Sequence, residues 1–151
     1  MTQVAFAPDV FTWPAAEPRL LGGRCPACQA VMFPRKPSCP RCGNPDIAEH
    51  LLPRRGVLVA WTIQGFLPKA PYAGGETEET FRPFGVGLVQ LGDEVRVEAR
   101  LTEADPEKLT FGMELELVVV PFRTDADGTE IMIHAFAPAS PEISDQAELA
   151  E

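Results

Sequence analysis

Four cysteines are the residues of this 151-residue chain whose type and spacing most clearly predict chemistry. They form two pairs, Cys25-Pro-Ala-Cys28 and Cys39-Pro-Arg-Cys42, with ten residues between the pairs. Two sulfurs in a Cys-x-x-Cys turn reach one metal ion, and two such turns supply the four soft ligands of tetrahedral zinc. Gly43 follows the second pair and permits the left-handed backbone that such a turn often needs. The pattern predicts a structural zinc site that uses all four cysteines.

Other roles for the cysteines agree less well with the sequence. Disulfides belong to oxidising compartments, and the first residues show no basic region leading into an apolar export signal. A thioredoxin-like redox pair would use one motif and leave the other without a role. Iron stays open as an alternative, because four thiolates suit it as well as zinc. Since ten residues are enough for a short hairpin between the pairs, residues 25–50 are predicted to form a rubredoxin-like zinc ribbon.

Charge is divided unevenly along the chain, whose net charge is −9. Residues 1–55 hold seven basic and four acidic side chains, whereas residues 56–151 hold six basic and eighteen acidic ones. The basic groups near the ribbon either offset the negative charge of a metal tetrathiolate or face phosphates. The acidic remainder would repel a nucleic-acid backbone. No apolar run reaches the roughly 18 residues of a membrane span, and we expect a cytoplasmic protein with neither a membrane nor a nucleic acid as partner.

Alternating apolar and polar residues predict five strands between residues 56 and 138. In the third strand Arg96, Glu98 and Arg100 are expected to face water, without a stacking aromatic. The apolar sets of the five strands are Val57/Val59/Trp61/Ile63, Val89/Leu91 (opposite Val86/Leu88/Gln90), Val95/Val97/Ala99/Leu101, Leu115/Leu117/Val119 and Ile131/Ile133/Ala135. A capping box at Thr102–Asp105 predicts one or two helical turns after the third strand, ending at Leu109.

Three strands, a short helix and two strands is the order of an OB-fold barrel. An immunoglobulin-like sandwich would need about seven strands. The predicted fold is therefore mainly β, with the N-terminal zinc ribbon followed by a five-stranded OB barrel at residues 51–138. Residues 1–24 are predicted to be a proline-rich aromatic lead with a short helix after Pro18, and residues 139–151 an acidic mobile tail.

No catalytic constellation is visible in the sequence. His50 lies in a linker, and His134 lies on the fifth barrel strand, where a lone histidine is more often packed or exposed than catalytic. Neither a nucleophile elbow nor a glycine-rich phosphate loop is present, and every cysteine is assigned to metal. The chain alone is predicted not to be an enzyme.

The order of these parts resembles the family of acyl-CoA-associated zinc-ribbon OB-fold proteins, from about residue 10 to 138. After the aromatic lead and the four cysteines, the barrel opens with Arg54-Arg-Gly-Val-Leu-Val-Ala-Trp-Thr62. The stretch Phe84-Gly-Val-Gly-Leu-Val-Gln-Leu-Gly-Asp93 is similar to the family's second strand. The stretch from Pro121-Phe122-Arg123 through Ala135-Phe136-Ala137-Pro138 is similar to its closing hairpin.

The resemblance implies a non-catalytic accessory subunit. Members of the family pair with thiolase-superfamily enzymes, including Claisen-type thiolases and lipid-transfer-protein-like aldolases that cleave steroid side-chain acyl-CoA thioesters. The ribbon is then structural, and the catalytic residues and the acyl-CoA site belong largely to the partner. Two alternatives stay open, a nucleic-acid-binding ribbon/OB module and a rubredoxin-like electron carrier.

Aromatic residues outside the predicted strands are candidate anchors for that partner, because they bury much apolar area at low entropic cost. Phe6, Phe11 and Trp13 lie in a segment that looks too irregular to bury them. The connection from Leu67 to Pro83 is too long for a simple hairpin, and a functional surface and disorder are equally compatible with it. We expect the lead, with Tyr72 and Phe81 of this loop, to contribute to the partner surface.

Overall fold

The computed structural model describes residues 2–139, so nearly all of the predicted acidic tail lies outside the described residues. The described chain is built of strands and one 3-10 turn. The strands are β1 (Gln3–Ala5), β2 (Leu21–Arg24), β3 (Val31–Met32), β4 (Ala48–Leu51), β5 (Arg55–Gln64), β6 (Phe84–Leu91), β7 (Val95–Leu101), β8 (Glu114–Thr124) and β9 (Glu130–Pro138).

A three-stranded antiparallel sheet in the order β3-β2-β4 forms the ribbon. Its central strand β2 replaces the short helix predicted after Pro18, and that prediction is wrong. Gly22 and Gly23 explain the difference. Glycine is a poor helix former, and here it permits close strand packing: a Cβ on Gly23 would lie 2.6 Å from the Ile47 side chain. The segment therefore gains more from pairing with β3 and β4 than from a helical turn.

The OB barrel predicted from the sequence is confirmed. Strands β5, β6 and β7 pair antiparallel in succession, β7 runs parallel to β9, and β9 pairs antiparallel with β8. Three residues of β8 then pair with the start of β5, which closes the barrel. The lead adds one further strand, since β1 pairs in parallel with β9 along Gln3–Ala5. Closure leaves few strand edges exposed to other chains.

The predicted inward set of the first barrel strand needs a correction. A bulge between Leu58 and Ala60 interrupts the β5–β6 register. Leu58 is therefore buried at 1% exposure and Val57 is 37% exposed, although Trp61 and Ile63 beyond the bulge pack on the same core. An extra residue in one strand changes which side chains face inward. Alternation alone could not locate that change.

The predicted helix after the third barrel strand is a single 3-10 turn, Pro106–Lys108. Its cap is Asp105, whose side chain accepts a hydrogen bond from the Glu107 N–H at 2.9 Å. Thr102, the cap predicted from sequence, donates its own N–H to the Phe136 carbonyl at 3.0 Å and so still belongs to the sheet. The sheet pairing thus delays the turn by three residues.

Lead and barrel share one core, against which Val31 and Phe33 of the ribbon pack. Phe11, Leu20 and Leu52 are buried together with the barrel residues. Arg19 donates to the Leu52 carbonyl at 2.9 Å, and Arg54 donates to the carbonyls of Pro18 and Leu117. These arginines hold backbone together instead of facing phosphates.

His134 lies where the three parts meet. Its ring lies among those of Phe6, Phe11 and Phe33, with centroid distances of 5.8, 5.8 and 6.0 Å. Its Nδ1 atom is buried without a hydrogen-bond partner, and burial lowers the pKa of His134 from 6.5 to about 4. The imidazole is therefore neutral at pH 7 and serves as a packing group, not a base.

This environment predicts an acid-dependent loss of stability. Because the folded-state pKa lies below the unfolded one, the unfolded chain binds the proton first, and folding free energy is lost as pH falls from 6.5 toward 4. Between pH 7 and pH 4.5 the wild type should lose roughly 2 kcal/mol more than His134→Leu. Urea unfolding of both proteins measures the difference. Equal losses would show that the pKa of His134 does not change on unfolding. Acid would release metal from both proteins, and that contribution cancels in the comparison.

Candidate functional site: the four-cysteine centre

Two loops of the ribbon present the four cysteines to one point. Cys25 and Cys28 lie between β2 and β3, and Cys39 and Cys42 lie between β3 and β4. The Sγ atoms all lie within 4.8 Å of one another, with Cys25–Cys42 at 3.5 Å and Cys28–Cys39 at 3.6 Å. Ligands at the usual Zn–S bond length stand about 3.8 Å apart around a tetrahedral ion. The donor set therefore fits a tetrahedral metal tetrathiolate.

The two loops have matching backbone geometry. The residue after each pair has a left-handed backbone, with φ of 67° at Gln29 and 81° at Gly43. In each loop this residue's N–H donates to the carbonyl of the first cysteine, Cys25 or Cys39, at 2.8 and 2.9 Å. Gln29 was not foreseen because glutamine seldom adopts positive φ. Its side chain donates to the Pro26 carbonyl at 3.1 Å, which helps to hold the turn.

Nearby N–H groups polarise the sulfurs. The N–H groups of Arg41 and Cys42 donate to the Cys39 Sγ at 3.3 and 3.4 Å, and the Asn44 amide donates to the Cys25 Sγ at 3.7 Å. Such outer contacts orient metal ligands and reduce the charge on the thiolates.

The thiol pKa values reflect a cluster that cannot hold four negative charges alone. The Ala30 N–H lowers the pKa of Cys28 to about 6. The Asn44 N–H also lowers the pKa of Cys42, but the hydrogen bond with Cys25, burial and the remaining thiols raise it to about 12. A divalent cation supplies the positive charge that lets all four ionise.

Arg41 is the basic side chain most closely associated with the thiols. Its guanidinium donates to the Cys28 carbonyl, and its pKa is raised by the hydrogen bond and the charge of Cys28. This contact supports the interpretation that basic residues near the ribbon offset the thiolates.

Neither histidine joins the cysteines. His50 of β4 pairs with Glu94 in the β6–β7 turn, with Nε2 and Oε1 2.6 Å apart, and so ties ribbon to barrel. Within residues 2–139, the four cysteines are the only group of three or more His, Cys, Asp or Glu side chains close enough to hold one metal ion.

The aromatic residues predicted for a partner surface differ in how deeply they are buried. The prediction is wrong for Phe11, which is 4% exposed and belongs to the core. Backbone bonds from Thr12 to Arg19 and from Leu21 to Val10 order the lead enough to bury it. Phe6 is 39% exposed, and Trp13 is half-buried against the core.

Tyr72 and Phe81 both pack against Phe84 at the start of β6, with centroid distances of 6.3 and 6.1 Å. Tyr72 also meets Phe122 of β8 edge-on at 5.7 Å. The long loop therefore packs on the barrel, held also by a 3.0 Å bond from Arg123 to the Ala73 carbonyl.

An arginine beside the rings of Phe84 and Phe122 was not predicted from the sequence. Arg100 of β7 lies 3.8 Å from the centroid of Phe84 and 5.7 Å from that of Phe122. The expectation of no aromatic beside Arg100 is thus wrong. Phe122 lies on another strand, and the only sequence signal was its position in the segment similar to the closing hairpin.

Comparisons with known proteins agree with this architecture. Residues 12–48 match the ChsH2 rubredoxin-like zinc ribbon domain, and residues 49–120 match the ChsH2 C-terminal OB-fold domain. The chain belongs to the ChsH2 family. The resemblance noted from the sequence and the predicted fold class are both confirmed. None of the helical structure in residues 2–139 of this ChsH2-family chain is long and apolar enough to cross a membrane.

Individual relatives match over most of their length. A DUF35 domain-containing scaffold protein of Pyrococcus furiosus is 36% identical over 80% of this chain and 83% of its own. The benzoylsuccinyl-CoA thiolase subunit BbsA of Thauera aromatica is 31% identical over 87% of this chain and 85% of its own. A solved structure described as an Ltp2-ChsH2(DUF35) aldolase has a TM-score of 0.60 and 27% identity, covering 81% of this chain and 86% of the solved one.

The site predicts one metal ion per chain held by four ligands. Cys39→Ser should lose the bound zinc and unfold the ribbon, because metal binding supplies most of the stability of so small a unit. Elemental analysis and circular dichroism measure the two effects, and Ser38→Ala at the exposed neighbouring position is the control. Full zinc content in Cys39→Ser would contradict the four-ligand site.

Proposed function

We propose that this chain is a non-catalytic accessory subunit that binds a thiolase-superfamily enzyme, stabilises it and helps to shape its acyl-CoA site. The observation that carries the proposal is the match to a thiolase subunit over 87% of this chain. The likeness to a solved aldolase supports the same role. Within residues 2–139 the only site with metal-ligand geometry is the cysteine cluster, whose sulfurs are occupied as ligands when metal is bound.

The metal of this proposal is zinc with a structural role. The sulfur spacing suits it, and the ribbon model that matches is a zinc ribbon. Reduced thiols are typical of the cytoplasm, which is the proposed compartment. An iron centre in an electron carrier would have the same four ligands. Absorbance of the pure protein distinguishes the metals, because a ferric tetrathiolate is coloured and zinc is not.

The partner enzyme acts on an acyl-CoA thioester, by retro-aldol cleavage or by Claisen-type thiolysis. The relatives support both, since one is named for a thiolase and another for an aldolase. A steroid side-chain thioester is the substrate that the family resemblance suggests for the aldolase form. Nucleic-acid binding is disfavoured for two reasons. The barrel is acidic, and the Arg100 guanidinium already covers a face of the Phe84 ring.

The partner surface is proposed to include Phe6 and Trp13 of the lead and Tyr72 and Phe81 of the long loop. Phe6 is exposed at 39%, and the other three are partly exposed. Aromatic side chains of this kind anchor interfaces because they are rigid and amphipathic.

Activity measurements test the role. The isolated chain should turn over no acyl-CoA thioester, whereas the complex with the enzyme that co-purifies with the tagged chain should. Coenzyme A release measures both. Turnover by the chain alone, in preparations free of the partner, would contradict a non-catalytic role, and failure of any thiolase-superfamily enzyme to co-purify would contradict the accessory one.

Substitution of the lead tests the proposed surface. Trp13→Ala should weaken the complex by roughly 2 kcal/mol, as expected for an interface hot spot. Phe11→Ala is the contrast: it removes a core side chain and should lower the unfolding free energy by about 3–5 kcal/mol. Calorimetric titration and urea unfolding measure the two quantities. If Trp13→Ala loses stability and keeps its affinity, the tryptophan serves the core alone.

A further inference from the structure

Arg100 is held in an unusual position on the outer face of the barrel. The Cζ atom of its guanidinium lies 3.8 Å from the ring centroid of Phe84 and 5.7 Å from that of Phe122. Such contacts are favourable for arginine and fix the orientation of its planar fork. The aromatic cage that elsewhere receives a foreign cation is here filled by the chain's own cation. One N–H of the guanidinium interacts with the Tyr72 hydroxyl, and the remaining N–H groups are left to bind another group.

No carboxylate of residues 2–139 lies within ion-pair distance of Arg100. The nearby acid Glu76 is engaged by another group, because the Tyr72 hydroxyl donates to its two oxygens at 3.0 and 3.2 Å. Burial raises the pKa of Tyr72, as does the bond to Glu76, while the hydrogen bond from Arg100 and its charge oppose this rise. The loop therefore keeps its own carboxylate beside Arg100 without neutralising it.

A cavity of about 320 Å³ opens at this arginine. Its walls come from the loop and from β6, β7, β8 and β9, and the charged residues that line it within residues 2–139 are Glu76 and Arg100. Phe84, Phe122 and Thr102 are among its other lining residues. A space of this size holds one side chain and is at the low end for a small-molecule site.

The place of the cavity in the barrel supports recognition. OB folds bind their ligands on the face of the second and third strands, beside the loop between the first and second. In this barrel those strands are β6 and β7, and the loop is the one that carries Tyr72 and Glu76. The cavity at Arg100 thus lies on the surface that this fold most readily uses for binding.

We propose that this cavity receives an aspartate or glutamate side chain of the partner enzyme, which pairs with Arg100. The inference rests on the proposed function, since the occupant is supplied by the partner. A carboxylate matches the flat fork of an arginine by two parallel hydrogen bonds. Stacking on Phe84 shields one face of that fork from water, which strengthens the pair.

A carboxylate suits the cavity better than a phosphate does. The lining has one positive and one negative residue, so a doubly charged phosphate would meet Glu76 with only one arginine to compensate. A singly charged carboxylate on a rigid partner carries less charge into this site. The surrounding apolar rings also suit the methylene groups of an acidic side chain.

The test measures affinity for the thiolase-superfamily enzyme that co-purifies with the tagged wild-type chain. Arg100→Gln should raise the dissociation constant at least about 30-fold, the lower range for breaking a buried charged pair across an interface. Arg100→Lys should recover only part of this loss, because lysine lacks the planar fork. Arg96→Gln, which removes an exposed charge from the same strand, should change the constant less than about threefold.

Three outcomes would overturn the inference. If Arg100→Gln binds the partner as tightly as Arg96→Gln, no carboxylate pairs with Arg100, although the accessory role stands. If Arg100→Gln lowers the thermal unfolding midpoint and leaves affinity unchanged, the arginine only holds the loop. If the wild-type chain binds inorganic pyrophosphate, and Arg100→Gln abolishes that binding but leaves the affinity for the partner unchanged, the site is a phosphate site. A wild-type chain that binds no such enzyme would overturn the proposed function as well.

Discussion

The meeting of four cysteine sulfurs at one point is the constraint on which the N-terminal third of this protein depends. The ribbon's own buried cluster consists of Cys25, Met32, Cys39 and Ile47, and two of these four belong to the candidate metal site. So small a core cannot offset the conformational entropy of ordering its loops. A bound ion replaces the missing apolar burial and fixes both loops at once. We therefore expect the ribbon to be rigid only with a metal ion bound.

That rigidity matters because the ribbon is joined to the barrel by contacts that need fixed positions. Phe33, just after β3, contributes one wall to the pocket around His134 of β9. His50 of β4 reaches Glu94 in the β6–β7 turn. Both contacts join ribbon strands to barrel segments more than 40 residues away in sequence. Loss of the metal would release Phe33 and His50 together, so the ribbon's role extends to the orientation of lead and barrel.

Sequence patterns predicted the parts of the structure that local chemistry controls. The cysteine spacing located the centre, and alternation located the barrel strands, since a strand with one buried face must repeat every two residues. The errors came from longer-range effects. A bulge reversed the first half of β5, pairing with β3 and β4 overrode a helix at Leu21–Arg24, and backbone bonds buried Phe11. Contact between Arg100 and Phe122 depends on barrel closure, which no local pattern encodes.

The acidic character of the barrel gains a physical meaning from the placement of Arg100. Exposed Glu78, Glu79 and Glu98 and partly buried Glu76 belong to the loop and strand beside it. They disfavour polyanions, and Arg100, the one cation that stacks on an aromatic ring within residues 2–139, stays attractive to a single opposing charge at short range. Screening limits the repulsion to about 8–10 Å at physiological salt, whereas a shielded pair is screened much less. On the proposed function, an acidic surface with one shielded arginine would disfavour nucleic acid and still accept one correctly placed carboxylate.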